Sequence, residues 1–156
     1  MKKILSLLAL AIFVVGCSSA PTLKEPAALD FGDSTSQTLT TNAWNALGEG
    51  NYIDAIKYSE RCAELYEDEA RKMQSSLNAK AHIDKVHDYW ALNDVGTSYF
   101  IKGEALAKLG RKSEAIVAFK VVTDELSYAQ AWDPKGWFWS PADAAYPKIA
   151  MLSGDF

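Results

Sequence analysis

The sequence predicts an all-α domain, and three features support that fold class. After about residue 35, apolar residues recur three and four positions apart, which is the spacing of one helix face. Glycines stand where two of these stripes end, at Gly48, Gly50 and Gly110. No segment alternates apolar and polar residues over the length of a strand. The chain has 156 residues, 49% hydrophobic and 23% charged, which is the size and composition of one globular domain.

Residues 1–16 predict a secretory signal peptide. Two lysines precede an uncharged run from Ile4 to Gly16, which is too short to span a bilayer comfortably. The run ends in Val14-Val15-Gly16-Cys17, which resembles the lipobox of bacterial lipoproteins. That resemblance implies that Cys17 becomes the mature N-terminus and carries fatty-acyl chains such as palmitate, which anchor it in a membrane. By resemblance to the sorting rule of Gram-negative lipoproteins, Ser18 favours the outer membrane, with the domain facing the periplasm.

Residues 17–34 are rich in serine, proline and alanine, and they predict a flexible tether between the lipidated cysteine and a domain over residues 35–156. Loss of the signal peptide removes two of the 16 basic residues and none of the 20 acidic ones, so the formal charge changes from −4 to −6. An acidic domain without clusters of lysine and arginine is a poor match for nucleic acid. Only Cys62 then remains as a free thiol, and we expect a buried small side chain there.

About five helices follow from the apolar stripes. The first stripe consists of Leu39, Ala43, Ala46 and Leu47. The second, third and fourth helices are expected at about 53–77, 83–109 and 113–126. Ser140-Pro141 supplies a capping hydroxyl and a proline at the first helical position, so a last helix is expected to begin there and to cap the C-terminal end of the domain.

Two segments match at a spacing of 60 residues, GEGNYIDAIKYSERC (48–62) and KLGRKSEAIVAFKVV (108–122). Each follows a helical stripe, which predicts two helical hairpins with glycine-containing turns. Within 99–122, the positions of Gly103, Leu106, Gly110, Ala115 and Phe119 resemble the tetratricopeptide repeat. The resemblance implies tetratricopeptide-like hairpins that bind a peptide or helix of a partner protein. The family repeats every 34 residues, so the helices between the two units are expected to be longer than usual or to contain an extra turn.

The resemblance also implies where a partner would bind, namely on the concave surface formed by the first helix of each hairpin. The outward positions of those helices are Trp44, Thr97, Phe100, Glu104 and Lys108. Trp44 and Phe100 have an alternative role as core residues. Glu104 and Lys108 are four residues apart and can form an ion pair on the helix surface without any ligand.

Residues 131–141, AWDPKGWFWSP, contain three of the five tryptophans, Trp132, Trp137 and Trp139. Asp133-Pro134-Lys135-Gly136 predicts a turn between the fourth and the last helix. One interpretation is a lid, because a stack of two hairpins would otherwise leave its last apolar face in water. The other is an aromatic platform on which a glycan or a peptide stacks.

The sequence contains no glycine-rich phosphate loop, no metal-spaced cluster of histidine or cysteine, and no nucleophile elbow. We therefore expect a non-enzymatic protein without cofactor or metal, anchored to a membrane through its lipid. Its expected role is that of an adaptor or assembly scaffold for a partner protein of the cell envelope. The alternative is a glycan- or peptidoglycan-binding module that uses Trp132, Trp137 and Trp139.

Overall fold

A computed structural model describes residues 28–154, an all-α fold with one short β-hairpin. The α-helices are α1 (Ser36–Gly48), α2 (Tyr52–Ser75), α3 (Trp90–Lys108), α4 (Lys112–Lys120) and α5 (Pro141–Ser153). A 3₁₀ helix (Ile83–Tyr89) leads directly into α3, and a π-helical turn (Val121–Glu125) continues α4. The antiparallel strands β1 (Ala131–Asp133) and β2 (Trp137–Trp139) lie in the chain between that turn and α5. The expected all-α class with five helices is therefore confirmed.

The turns of the two helical hairpins have the same backbone conformation. In the first, Gly50 has a φ of 80°, and the following amide, of Asn51, donates to the carbonyl five residues earlier at 2.8 Å. In the second, Gly110 has a φ of 75°, and the amide of Arg111 donates to the carbonyl five residues earlier at 2.9 Å. Glycine adopts a positive φ without a steric penalty, and this bond pattern caps a helix C-terminus. The sequence match at 60 residues thus corresponds to a duplicated turn.

The central helix α3 is buried along most of its length, and two glycines let other segments approach it. A Cβ at Gly103 would lie 2.6 Å from the ring of Phe119 on α4, and a Cβ at Gly96 would lie 2.5 Å from the Cβ of Ala129. Both neighbours are fully buried, so neither contact can be relieved by turning a side chain into solvent. Cys62 is also fully buried, as expected, and burial raises the pKa of its thiol.

The segment before α1 packs against α2 from about residue 30. The Phe31 ring packs edge-on against Tyr58 of α2, with 5.7 Å between ring centroids. The hydroxyl of Tyr58 donates to the carbonyl of Asp30, and that of Tyr66 to the carbonyl of Ser34, both at 2.9 Å. Periodicity could not reveal this contact because the segment has no regular secondary structure.

The chain after α4 confirms the predicted turn and the predicted helix start. The amide of Gly136 donates to the carbonyl of Asp133 at 2.9 Å, which closes the β-hairpin. The hydroxyl of Ser140 caps α5 by accepting from the amide of Asp143 at 3.3 Å. Helix α5 then packs its apolar side, which includes the buried Ala142 and Ala145, on the core formed with α3 and α4. The strands themselves were not predicted, because three residues are too few for an alternation to be recognised.

Candidate binding cavity

An open cavity of about 420 Å³ lies between α1, the 3₁₀ helix, the first two turns of α3 and the β-hairpin. Its lining combines aromatic side chains with neutral polar groups and one carboxylate. We call it the aromatic cavity and define it by Trp44, Trp90, Trp132, Phe138 and Asp94. A cavity of this size with a few polar groups is typical of a site for a small ligand or for one side chain of a partner.

Separate elements supply the aromatic side chains. Trp44 comes from α1, Trp90 begins α3, and Trp132 and Phe138 face each other across the β-hairpin with ring centroids 5.0 Å apart. His87 of the 3₁₀ helix packs edge-on against Phe138 at 5.6 Å. The three indoles keep 37%, 44% and 54% of their surface exposed, in chain order. Large aromatic surface is therefore open to solvent on several sides of one cavity, although burial would stabilise each ring.

Asp94 is the acidic residue of this lining. Its carboxylate accepts a hydrogen bond of 2.5 Å from the hydroxyl of Ser36, which tends to lower its pKa. Burial has the larger effect and raises the pKa of Asp94 above its ordinary value. Among the described residues, none forms an ion pair with this carboxylate, and neither lysine nor arginine lines the cavity. The other polar residues of the lining are His87 and the uncharged Gln37, Thr40, Thr41, Asn93, Thr97 and Gln130.

Asn93 and Gly96 position the β-hairpin against α3. The amide group of Asn93 donates to the carbonyl of Val86 at 2.7 Å, and its side-chain oxygen accepts from the backbone amide of Gln130 at 2.9 Å. Because Gly96 has no Cβ, the segment around Ala129 lies directly on α3. These two residues hold the chain just before β1, and so they determine where Trp132 stands.

The structure places some of the expected partner-binding residues at the aromatic cavity and others elsewhere. Trp44 and Thr97 line the aromatic cavity, although Thr97 is buried and its hydroxyl donates to the carbonyl of Asn93 at 2.7 Å. Phe100, expected at an outward position, lies in the core between Phe119 and Trp139, with ring centroids 5.6 and 5.3 Å away. Its alternative role as a core residue is therefore the one observed, because β2 covers this part of α3.

Glu104 and Lys108 do not form the expected pair with each other. Glu104 instead pairs with Lys148 of α5, with 2.8 Å between its carboxylate oxygen and Nζ, which links α3 to the last helix. Lys108 is exposed at the end of α3. Neither residue lines the aromatic cavity.

The three tryptophans of residues 131–141 do not form one platform. Trp132 lines the cavity with Phe138, and Trp137 is 49% exposed with the Lys135 amine 6.0 Å from its ring centre. Trp139 packs on the core and contacts Trp44 with 6.2 Å between ring centroids. Alternation along β2 places Trp137 and Trp139 on the face opposite Phe138. One ring therefore acts as the lid, and one is available to a ligand in the cavity.

Sequence reasoning missed Trp90, His87, Phe138 and Asp94 as members of this site. Trp90, His87 and Asp94 lie where the sequence predicts only a helix, and Phe138 lies between two tryptophans of the segment 131–141. The signal that was present is the density of tryptophan, because three of the five line one cavity. Their convergence depends on the fold and cannot be read from spacing.

Comparison of the chain with protein-family models, with curated proteins and with solved structures finds no match. Cys17 and the signal peptide lie outside the described residues. None of the helices between residues 28 and 154 is both long enough and apolar enough to cross a membrane. Over the same residues, no three histidine, cysteine, aspartate or glutamate side chains come together as metal ligands would.

Proposed function

We propose that this chain is a lipid-anchored protein of the bacterial cell envelope that binds a segment of a partner protein in the aromatic cavity. The proposal combines the lipobox-like sequence before Cys17 with a cavity that exposes indole surface on several sides. Ser18 favours the outer membrane, with the domain in the periplasm. The role is recognition and assembly rather than catalysis, since the lining consists mainly of aromatic and neutral polar groups.

The observation that carries the proposal is the position of the cavity on the first helices of the two hairpins. Trp44 and Thr41 come from α1, while Asp94 and Thr97 come from α3. The resemblance to tetratricopeptide repeats implies partner binding on the surface formed by those first helices. The duplicated turns at Gly50 and Gly110 support the proposal that the domain is built from two such units.

Photo-cross-linking in intact cells tests this proposal. A photoreactive amino acid replaces Thr41, an exposed residue of the cavity rim, in the full-length anchored chain. The matched control carries it at Val117 on α4, which is 64% exposed and does not line the aromatic cavity. We expect one defined envelope protein to be captured from position 41 and not from 117, and Trp132→Ala to abolish capture without changing the amount of folded protein. Equal capture from both positions would contradict the assignment of the site.

A glycan is the second candidate ligand, because an exposed indole beside several hydroxyl and amide groups also suits a sugar. Of the three hairpin tryptophans, only Trp132 lines the aromatic cavity. Soluble cell-wall fragments should then shift the tryptophan fluorescence of the purified chain, and Trp132→Ala should remove the shift while Trp137→Ala keeps it. No shift with cell-wall fragments, together with specific capture from position 41, would leave the protein partner as the ligand.

A further inference from the structure

We propose that the aromatic cavity receives a basic side chain, lysine or arginine, of the partner segment, with Asp94 as its counter-ion and the exposed indoles around it. This inference rests on the proposed function, because it names the chemistry of the partner at the same site. The cavity of about 420 Å³ has room for one long side chain together with part of the backbone that carries it.

The environment of Asp94 favours a cation in the cavity. Several acidic side chains of the domain have a cation of their own: Glu60 pairs with Lys102 at 2.8 Å, and Glu104 pairs with Lys148. Asp94 is more buried than an ordinary surface carboxylate, and within residues 28–154 it has only the Ser36 hydroxyl as a side-chain partner. Partial burial of an unpaired carboxylate is unfavourable, and a cation in the cavity would relieve that cost.

The aromatic lining of the cavity also favours a cation. The faces of indole rings carry negative electrostatic potential and attract ammonium and guanidinium groups, with tryptophan the strongest of the aromatic side chains. Trp44 of α1, Trp90 of α3 and Trp132 of β1 line the same cavity as Asp94, which lies one turn after Trp90 on α3. Aromatic rings around a cation, with a carboxylate as counter-ion, form a recognised type of site for basic groups.

The charges of the lining and of the whole chain favour a basic ligand over an anionic one. Among the lining residues only His87 can carry a positive charge, and neither lysine nor arginine is present to compensate an anionic group beside the Asp94 carboxylate. The chain without residues 1–16 has a formal charge of −6, so its field attracts a basic segment over longer distances. A neutral sugar would fit the polar groups but would not depend on the negative charge of Asp94.

The variant Asp94→Asn distinguishes a basic ligand, which depends on the charge of Asp94, from a neutral one. Asparagine keeps an oxygen that can accept from the Ser36 hydroxyl, so the link between α1 and α3 is retained while the charge is lost. The variant should be as stable as the parent protein or more stable in urea at neutral pH, because it removes a poorly solvated charge. A structural role for the charge would instead make Asp94→Asn less stable.

Binding is measured on the full chain, isotope-labelled and purified in non-ionic detergent at low salt. The five indole N–H signals are followed by NMR during titration with short peptides whose central residue is lysine, arginine, norleucine or citrulline. We expect lysine or arginine to shift the signals of Trp44, Trp90 and Trp132, but not that of Trp137. The neutral peptides and Asp94→Asn should each bind at least about tenfold more weakly. Trp137→Phe is the matched control and should bind as the parent does.

The outcomes distinguish this inference from the proposed function. Equal binding of the norleucine and lysine peptides, or unchanged binding by Asp94→Asn, would contradict the proposal that the cavity receives a basic side chain. Neither result would contradict the proposal that the cavity binds a partner protein. Shifts of the same indole signals by cell-wall fragments, without any by the peptides, overturn both and favour the glycan. Selective binding of lysine over arginine, or the reverse, identifies which basic side chain the cavity takes.

Discussion

The two helical hairpins, α1–α2 and α3–α4, share one turn conformation but differ in how their helices pack. At positions 60 residues apart, the first hairpin has Ala43 and Ser59 where the second has Gly103 and Phe119. In the second hairpin, the Phe119 ring occupies the space where a Cβ of Gly103 would lie. In the first, the Ser59 hydroxyl donates back to the carbonyl of Ala55 at 2.8 Å. The shared turn determines that each pair of helices forms a hairpin. The residues between the two helices determine how those helices pack.

The aromatic interface of the second hairpin also reaches the candidate site. Phe119 contacts Phe100, Phe100 contacts Trp139 of β2, and Trp139 contacts Trp44 at the cavity. No aromatic side chain stands at position 59 of the first hairpin. The lid ring Trp139 therefore joins the aromatic interface of the second hairpin to Trp44 of the first, and only the second hairpin contributes an aromatic pair between its own helices at these matched positions.

The largest expected difference between the hairpins is at the pair Phe119 and Ser59. Phe119→Ala removes a fully buried ring from the core and should lower the free energy of unfolding by about 3–5 kcal/mol. Ser59→Ala loses one hydrogen bond within its own helix and should cost less than about 1.5 kcal/mol. Urea unfolding followed by circular dichroism measures both. Similar losses for the two variants would refute the stated difference in packing.

Gly103 and Ala43 provide the next test. Gly103→Ala places a methyl group against the Phe119 ring and should destabilise the domain by about 1–3 kcal/mol. Ala43→Gly removes a methyl group from a helix interior and should cost about 1 kcal/mol from helix propensity, together with any lost packing. Combining Gly103→Ala with Phe119→Leu should cost less than the sum of the single changes. The smaller leucine leaves room for the added methyl group, and that methyl group fills part of the space that the ring leaves. Strict additivity would argue against the contact.

The turns themselves should respond alike. Gly50→Ala and Gly110→Ala both force a side chain into a left-handed conformation, and each should cost about 1–2 kcal/mol in unfolding measurements. Gly48→Ala is the matched control, because Gly48 lies at the helical end of α1 without a neighbour within 4 Å. It should leave stability unchanged or raise it. A large difference between the first two variants would break the equivalence of the turns.

The smallest expected effect concerns Tyr99, which stands where the first hairpin has Leu39. The hydroxyl of Tyr99 donates to Glu67 at 2.7 Å, and its pKa is raised far above the usual range, first by burial and then by this bond. Tyr99→Phe should cost about 1 kcal/mol at neutral pH. Because the raised pKa belongs to the folded state, this contribution is complete below the pKa of the unfolded chain and is lost as the pH rises above it. Tyr146→Phe, at an exposed residue, should show neither effect.

Local features were predictable where a few neighbouring residues determine the geometry. The cap at Ser140, the turn at Asp133–Gly136 and the glycines at 50 and 110 depend on backbone conformations that only certain residues allow, and all were predicted. Side-chain exposure was less predictable. The sequence left Phe100 either at an outward position or in the core, and it is buried, while Ile53 near the start of α2 is 51% exposed. Periodicity locates a face of a helix but does not say which neighbour will cover it.

By itself, the sequence determined the helical class, the duplicated hairpin turn, the cap of the last helix and the concentration of tryptophan. Helix periodicity, glycine conformation and capping act over a few residues, so they can be read along the chain. Only the tertiary structure decided that Trp139 packs on the core while Trp44, Trp90 and Trp132 line one cavity with Asp94. The physical reason is that burial and cavity formation depend on contacts between residues as far apart in the chain as Trp44 and Trp139, which no local pattern specifies.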